Sequence, residues 1–282
     1  MVPISPSLEP VPPTLHATAA HDALVAEDIG VRYGSFSALT DVSFRIGRGE
    51  MVGIIGPNGA GKSTMFKALA GFVPHSGEVF LDGVCCHQHQ RTSIAFIPQR
   101  ADLDLDFPIT VGELVLAGRR RFRRWWARPS SDDRDAAALA LAEVDLAGFE
   151  KRGVGTLSGG QAQRAFLARA LAQDADVLLL DEALSGVDAP TTGELFELFD
   201  RLAQRGVTIL VATHDLALAR HRFHRCIAIN RTVQGDGPPA KVLDVDVLDA
   251  TFGSGRLIVD PALAGAAAVE RALNMTTIET PG

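Results

Sequence analysis

Residues 51–70 constrain the fold more than any other stretch of the chain. Met51-Val-Gly-Ile-Ile55 is a short apolar run, Gly56-Pro57-Asn58-Gly59-Ala60-Gly61-Lys62-Ser63 follows it directly, and a helical pattern occupies Lys62 to Ala70. The glycine-rich eight residues fit GxxxxGK[ST] in the strand–loop–helix context that gives this spacing its meaning. Glycines let the backbone curl so that its N–H groups point inward at phosphate oxygens. The helix start adds the positive end of its dipole. Lys62 is set to reach the β- and γ-phosphates of a nucleoside triphosphate, and Ser63, with Thr64 beside it, presents a hydroxyl for Mg²⁺. A glycine-rich turn with an incidental lysine would not account for the strand and helix on either side. Such a unit belongs in an α/β domain.

The remaining pattern agrees. Ile94 to Ile97, Val177 to Leu180 and Thr208 to Ala212 are short, nearly continuous apolar runs, as expected of parallel strands buried on both faces. Gln161 to Gln173 is a second clear helix, and an Ala/Leu-rich helix is expected around Asp135 to Leu146. Strand signals stop between Arg100 and Gly160. This predicts a helical insertion over about 100–160 within a domain spanning 23–260. Residues 1–22, with five prolines in the first thirteen positions, predict an extended tail, and 261–282 an Ala-rich extension. No repeat occurs at any period, so one nucleotide-site half is expected.

Charge and composition exclude other classes. The 282 residues carry a net charge of −7, so no overall polycation draws the chain to nucleic acid. No apolar stretch reaches the roughly 18 to 20 residues that span a bilayer, so work at a membrane would run through a partner. Arg32 is the first basic residue and the three cysteines form no spaced framework, which points to the cytosol. Cys85 and Cys86 beside His87 and His89 read as an ordinary loop, because adjacent cysteines make poor tetrahedral ligands. His221 and His224 read as solvated.

Two further stretches supply chemistry. Val177-Leu-Leu-Leu-Asp181-Glu182 delivers Asp181 to the C-terminal end of a buried strand, where it can hold the Mg²⁺ shell. Glu182, one residue on, is free to polarise an attacking water as general base. Leu157-Ser158-Gly159-Gly160-Gln161 opens a helix with a capping serine and a glycine pair, a second anion-binding helix start. A single nucleotide does not need two such sites from one chain, which hints at a phosphate bound in trans.

With these motifs in this order, the chain resembles the ATP-binding subunits of ABC transporters over about Leu24 to Gly253. The resemblance implies a P-loop NTPase (ABC ATPase) core with an antiparallel β subdomain and a helical insertion. It implies ATP and Mg²⁺ as ligands, and a head-to-tail homodimer in which Ser158, Gly159 and Gly160 of one subunit close over the nucleotide of the other. Tyr33 matches the aromatic residue that stacks on adenine. Gln99 matches the glutamine that contacts Mg²⁺ or the water and senses the membrane partner, and His214 the switch histidine at the γ-phosphate. Asp188, in Ser185-Gly-Val-Asp188, lies in the loop that communicates across the dimer. Glu182, His214 and Gln99 form the implied catalytic set, and Ser63, Gln99 and Asp181 the implied Mg²⁺ residues. The implied partners are transmembrane permease subunits and, indirectly, an extracytoplasmic metal-binding protein, with this chain at the cytoplasmic face of the membrane.

Asp104-Leu-Asp-Phe-Pro-Ile-Thr-Val111, followed by Gly118-Arg119, resembles the manganese/zinc (sometimes iron) importer subgroup, as does the ending Lys241 to Gly253. Leu105 departs from that pattern, which typically has Trp there. Ala183 stands where the family usually has Pro, and Gly186-Val187 replaces the commoner Ala-Leu. Importer ATPases for iron-siderophore, haem or cobalamin share all the core motifs and remain the alternative. A soluble ABC-type ATPase acting on ribosomes or DNA would usually carry two ATPase halves or a very long coiled coil between the nucleotide motifs, and neither is present. Arg119 to Arg128 holds six arginines and both tryptophans. It can face anionic headgroups or the membrane partner, form a solvated loop, or contact nucleic acid.

Overall fold

Each central strand buries apolar side chains on both of its faces, so layers must cover the sheet above and below. The computed structural model describes residues 22–86, 93–99, 108–122, 128–182 and 188–253. The described chain opens with an antiparallel hairpin, β1 (Asp22–Tyr33) and β2 (Phe36–Gly47), and then β3 (Met51–Ile55) leads into α1 (Lys62–Leu69). β4 (Ser76–Leu81) and β5 (Val84–Cys85) complete an antiparallel sheet of order β2-β1-β4-β5. β6 (Ile94–Ile97) precedes three helices, α2 (Val111–Ala117), α3 (Ser131–Glu143) and α4 (Gly159–Ala172). The chain continues through β7 (Val177–Asp181), α5 (Ala189–Gln204), β8 (Thr208–Thr213) and α6 (Leu216–Arg222). It closes with β9 (Arg225–Asn230), β10 (Thr232–Gly237), α7 (Pro239–Val242) and α8 (Val245–Phe252).

The second sheet has the order β10-β9-β3-β8-β7-β6 and is parallel except for β10. Val52 and Ile54 of β3, Val177 and Leu179 of β7, and Leu210 and Ala212 of β8 share a core with α1 and the antiparallel sheet. Their neighbours Ile55, Leu178, Leu180, Ile209 and Val211 share the other core with α4, α5 and the helical insertion. The period of two therefore sorts one strand's side chains between two cores. Gly53 keeps one of these faces open, since a Cβ there would stand 2.8 Å from the Phe223 ring.

The helical insertion forms as the lack of strand signals predicts, with earlier helix starts. α3 begins at Ser131 and α4 at Gly159 because Ser130 and Ser158 cap them, each in a reciprocal capping box with Asp133 or Gln161. Thr110 caps α2 in the same way with Glu113. Arg119 pairs with Asp133 at 3.3 Å and Asp174 at 2.6 Å, tying the segment after α2 to α3 and to the end of α4. No helix among the described residues is long and apolar enough to cross a membrane. The Pro-rich tail, the Ala-rich end, His87 and His89, residues 104–107, residues 123–127 and Ala183 to Val187 lie outside the described residues.

Candidate nucleotide site

In a parallel sheet every strand presents its C-terminal end on the same edge, and loops leaving that edge can converge. β3 ends at Ile55, next to Thr213 of β8, and Ala212 of β8 pairs with Asp181 of β7. The phosphate loop, the Asp181-Glu182 pair and His214 thus leave adjacent strands.

The loop depends on its glycines. Gly59 and Gly61 have φ of 81° and 99°, and Gly61 is the left-handed residue that opens α1. Gly56 is excluded from larger residues by contact, because a Cβ there would stand 2.3 Å from the Ile229 carbonyl oxygen. Pro57 is half-buried, Asn58 and Gly59 are exposed, Ala60 is buried, and Thr64 lies half-buried in the first turn of α1.

Lys62 is 4% exposed, and its Nζ donates to the carbonyls of Gly56 at 2.7 Å and Pro57 at 3.1 Å. The same Nζ lies 3.4 Å from Oε1 of Glu182. Burial lowers the Lys62 pKa, against the opposing pull of the Glu182 and Asp181 carboxylates. Ser63 Oγ donates to Oδ1 of Asp181 at 3.0 Å. Burial raises the Asp181 pKa, partly offset by that bond, and the neighbouring Glu182 charge raises it further.

Glu182 is the meeting point. Gln99 Nε2 donates to its Oε2 at 3.3 Å, and His214 Nδ1 lies 3.6 Å from its Oε1. Its backbone is left-handed, φ 46°, and its amide donates to the Ala212 carbonyl at 3.2 Å. Six sequence-selected residues, Lys62, Ser63, Gln99, Asp181, Glu182 and His214, therefore form one cluster. A carboxylate surrounded by a cation, an amide and an imidazole can orient a water. A serine hydroxyl beside a second carboxylate offers the hard oxygens that suit Mg²⁺.

The other selected residues lie elsewhere. Leu157 is nearly buried, Ser158 caps α4, and Gln161 closes the capping box. A Cβ on Gly160 would stand 3.0 Å from Thr191 Cγ2, so the start of α4, including Gly159, abuts the start of α5. Asp188 caps α5 by accepting from the amide and hydroxyl of Thr191, both at 3.0 Å, and these bonds hold its carboxyl below the usual range. Among the described residues no hydrogen bond or ion pair joins Leu157–Gln161 to Lys62, Ser63 or Asp181. Tyr33 is half exposed at the end of β1. Sequence reasoning passed over Arg231, whose amide supports the phosphate loop by donating to the Ala60 carbonyl at 2.9 Å. A lone arginine after a strand carries no motif that would have singled it out.

A phosphate loop between β3 and α1, with an acidic pair ending a neighbouring parallel strand, defines a nucleoside-triphosphate-binding ATPase core. The helical insertion and the Leu157–Gln161 helix start narrow that class. The ABC transporter family pattern matches residues 39–185, and the chain belongs to that family. It is 40% identical over 232 residues to the manganese transport system ATP-binding protein MntB of Bacillus subtilis, covering 82% of this chain and 92% of that protein. It is also 40% identical over 236 residues to the zinc transport system ATP-binding protein TroB of Treponema pallidum, covering 83% and 88%. A nucleotide-free ATP-binding cassette from an ABC transporter superposes with a TM-score of 0.72 at 24% identity, covering 82% of this chain and 99% of that one, and shows the shared fold. The chain is thus an ABC-type ATPase subunit that binds nucleotide.

Proposed function

We propose that this subunit powers an importer for a divalent metal ion, manganese or zinc in the first instance. The observation that carries the reading is the 40% identity to ATP-binding proteins of both manganese and zinc transport systems, over nearly their full length. The resemblance of residues 104–111 and 241–253 to that subgroup points the same way. The metal is cargo, and no residue of this chain needs to bind it. A transmembrane permease carries it, an external binding protein delivers it, and this chain sits on the cytoplasmic face through the permease.

Within the site, Lys62 and the amides of residues 56–63 hold the phosphates of ATP. Ser63, Asp181 and Gln99 would hold Mg²⁺, whose charge neutralises the β- and γ-phosphate oxygens. Glu182 takes a proton from the attacking water, and His214 fixes the geometry near the γ-phosphate. Tyr33 stacks on the base. Ser158, Gly159 and Gly160 of a second subunit cover the nucleotide, and Asp188 lies in the loop that communicates between the two. The domain occupies about 23–260, with flanking segments at 1–22 and 261–282.

The test is co-expression with candidate metal-permease subunits from the same genome, followed by reconstitution in vesicles. The expected result is ATP-dependent uptake of Mn²⁺ or Zn²⁺ that the Glu182→Gln subunit does not support. Recovery with nucleic acid or ribosomes, and without a membrane protein, would overturn the reading.

A further inference from the structure

The turn between β9 and β10 places a cation beside the phosphate loop that none of the roles above employs. Arg231 holds a left-handed backbone, φ 63°, a conformation that strains a non-glycine residue. Two bonds keep it there. Its amide donates to the Ala60 carbonyl at 2.9 Å, and its own carbonyl accepts from the Thr40 amide at 2.9 Å. The turn is fastened to the phosphate loop on one side and to β2 on the other. Neither bond uses the side chain.

The Arg231 guanidinium lies over the Phe36 ring, 5.1 Å from its centroid, and makes no ion pair among the described residues. Phe36 is the cross-strand partner of Tyr33 in the β1–β2 ladder, so the two aromatic side chains leave the same face of the hairpin. Both are 50% exposed. A guanidinium stacked on a ring keeps its in-plane N–H groups available at its edge. The hairpin tip therefore presents aromatic faces bordered by unspent donors, next to a loop built for phosphate. A flat ring system with acceptor atoms on its rim and a phosphate chain at one end fits that surface.

We propose that Phe36 and Arg231 extend the platform of Tyr33 and bind the purine-nucleoside half of ATP. Phe36 contributes ring contact, and Arg231 donates to acceptor atoms of the base or ribose. The strained turn positions that guanidinium, and its amide bond to Ala60 makes its place dependent on an intact phosphate loop. The inference rests on reading Tyr33 as the base-stacking residue.

Equilibrium binding of ATP and of inorganic tripolyphosphate to the full chain tests it. Arg231→Asn removes the guanidinium while keeping a residue that tolerates the left-handed region, and Phe36→Ala removes the ring. Melting curves close to the parent's check that the turn survives. Each variant is expected to weaken ATP binding about tenfold, the loss of one good charged contact for Arg231→Asn and of one ring contact for Phe36→Ala, and to leave tripolyphosphate unchanged. Parental ATP affinity, or equal weakening of both ligands, would overturn the inference. Tyr33→Ala separates the two layers: loss of ATP affinity in Tyr33→Ala but not in Arg231→Asn or Phe36→Ala defeats the inference alone. Parental ATP affinity in Tyr33→Ala defeats the platform itself.

Discussion

Glu182→Gln isolates the chemistry of the site from its architecture. General-base catalysis contributes about 10²–10⁴-fold in rate, so turnover should fall by at least about a hundredfold. The structure says what else the change does. Glu182 Oε1 lies 3.4 Å from Lys62 Nζ, with side-chain exposures of 12% and 4%, and deleting one member of such a buried pair costs about 3–5 kcal/mol when the other is stranded. Lys62 is not stranded, because the Gly56 and Pro57 carbonyls also accept from it, and the glutamine amide oxygen still offers an acceptor. The expected loss of fold stability is therefore about 1 kcal/mol. A carboxylate that competes with phosphate for Lys62 has also been removed, so ATP should bind at least as tightly as to the parent. Phosphate release at saturating ATP, equilibrium ATP binding and thermal melting measure the three effects separately. Parental turnover would refute the general-base assignment. A dissociation constant that rises in step with the lost turnover would show that Glu182 acts only by holding Lys62 and the loop in place.

Asp181→Asn should bind Mg²⁺·ATP poorly yet melt a few degrees higher than the parent without ligands. Burial raises the Asp181 pKa, so its contribution to stability is present below the ordinary value of 3.8 and is lost as pH rises through the raised one; the gap in melting temperature should close toward pH 3, and a gap independent of pH would refute the cause. Gly61→Ala puts a Cβ 2.6 Å from Leu39 Cδ2 and 2.9 Å from the Ala38 carbonyl oxygen at a φ of 99°, so strain of about 1–3 kcal/mol and loss of ATP binding are expected by melting and titration. Ser130→Ala removes the acceptor for the Asp133 amide at 3.1 Å and should cost about 1 kcal/mol, a shift of about 2–4 °C in melting, with ATP affinity unchanged.

What the sequence could reveal follows from how each residue finds its place. Lys62, Ser63, Asp181 and Glu182 sit within two residues of a strand end or helix start, and parallel strands bring such ends to one edge whatever their order. That order itself is not written locally. β8 lies between β3 and β7, so the phosphate loop and Asp181 meet across Thr213 and Ala212, and no motif announces the intervening strand's neighbours. The start of α3 was legible only approximately, because Ser130 acts ahead of the first apolar residue and leaves no trace in the period; at α4 the capping Ser158 was legible in Leu157–Gln161, and only the first helical residue, Gly159 against Gln161, differs. α5 carries both cues, a capping Asp188 with proline in the first turn and an apolar stripe through Leu195, Phe196, Phe199 and Leu202, yet contains no chemistry that draws attention to it. The left-handed backbone of Glu182 is a further case. Proline at 183 would restrict the preceding residue, and the alanine found there lifts that restriction at the residue proposed to handle the proton.

The Leu157–Gln161 helix start bears on the subunit arrangement in the same way. Its exposed amides and dipole suit phosphate; the Ser158 amide is taken by Gln161 Oε1, while the Ser158 Oγ only accepts from the Gln161 amide and keeps its O–H to donate. The Ser158 O–H, the glycine amides and the helix end remain for a ligand, and glycine at 159 and 160 lets a phosphate approach them without a side chain in the way. Inside one chain that start abuts Thr191 at the start of α5, and no described contact draws it toward Lys62. A phosphate held at both places would then belong to two chains. The binding of one nucleotide would depend on the subunit that does not carry its phosphate loop, and mixed dimers are the direct check. A purified mixed dimer of one Lys62→Ala subunit and one subunit in which Ser158 is replaced should retain a single working site and about half the parental turnover, whereas both homodimers are dead. If instead both sites in such mixtures are dead, each chain uses its own helix start and the head-to-tail arrangement is wrong.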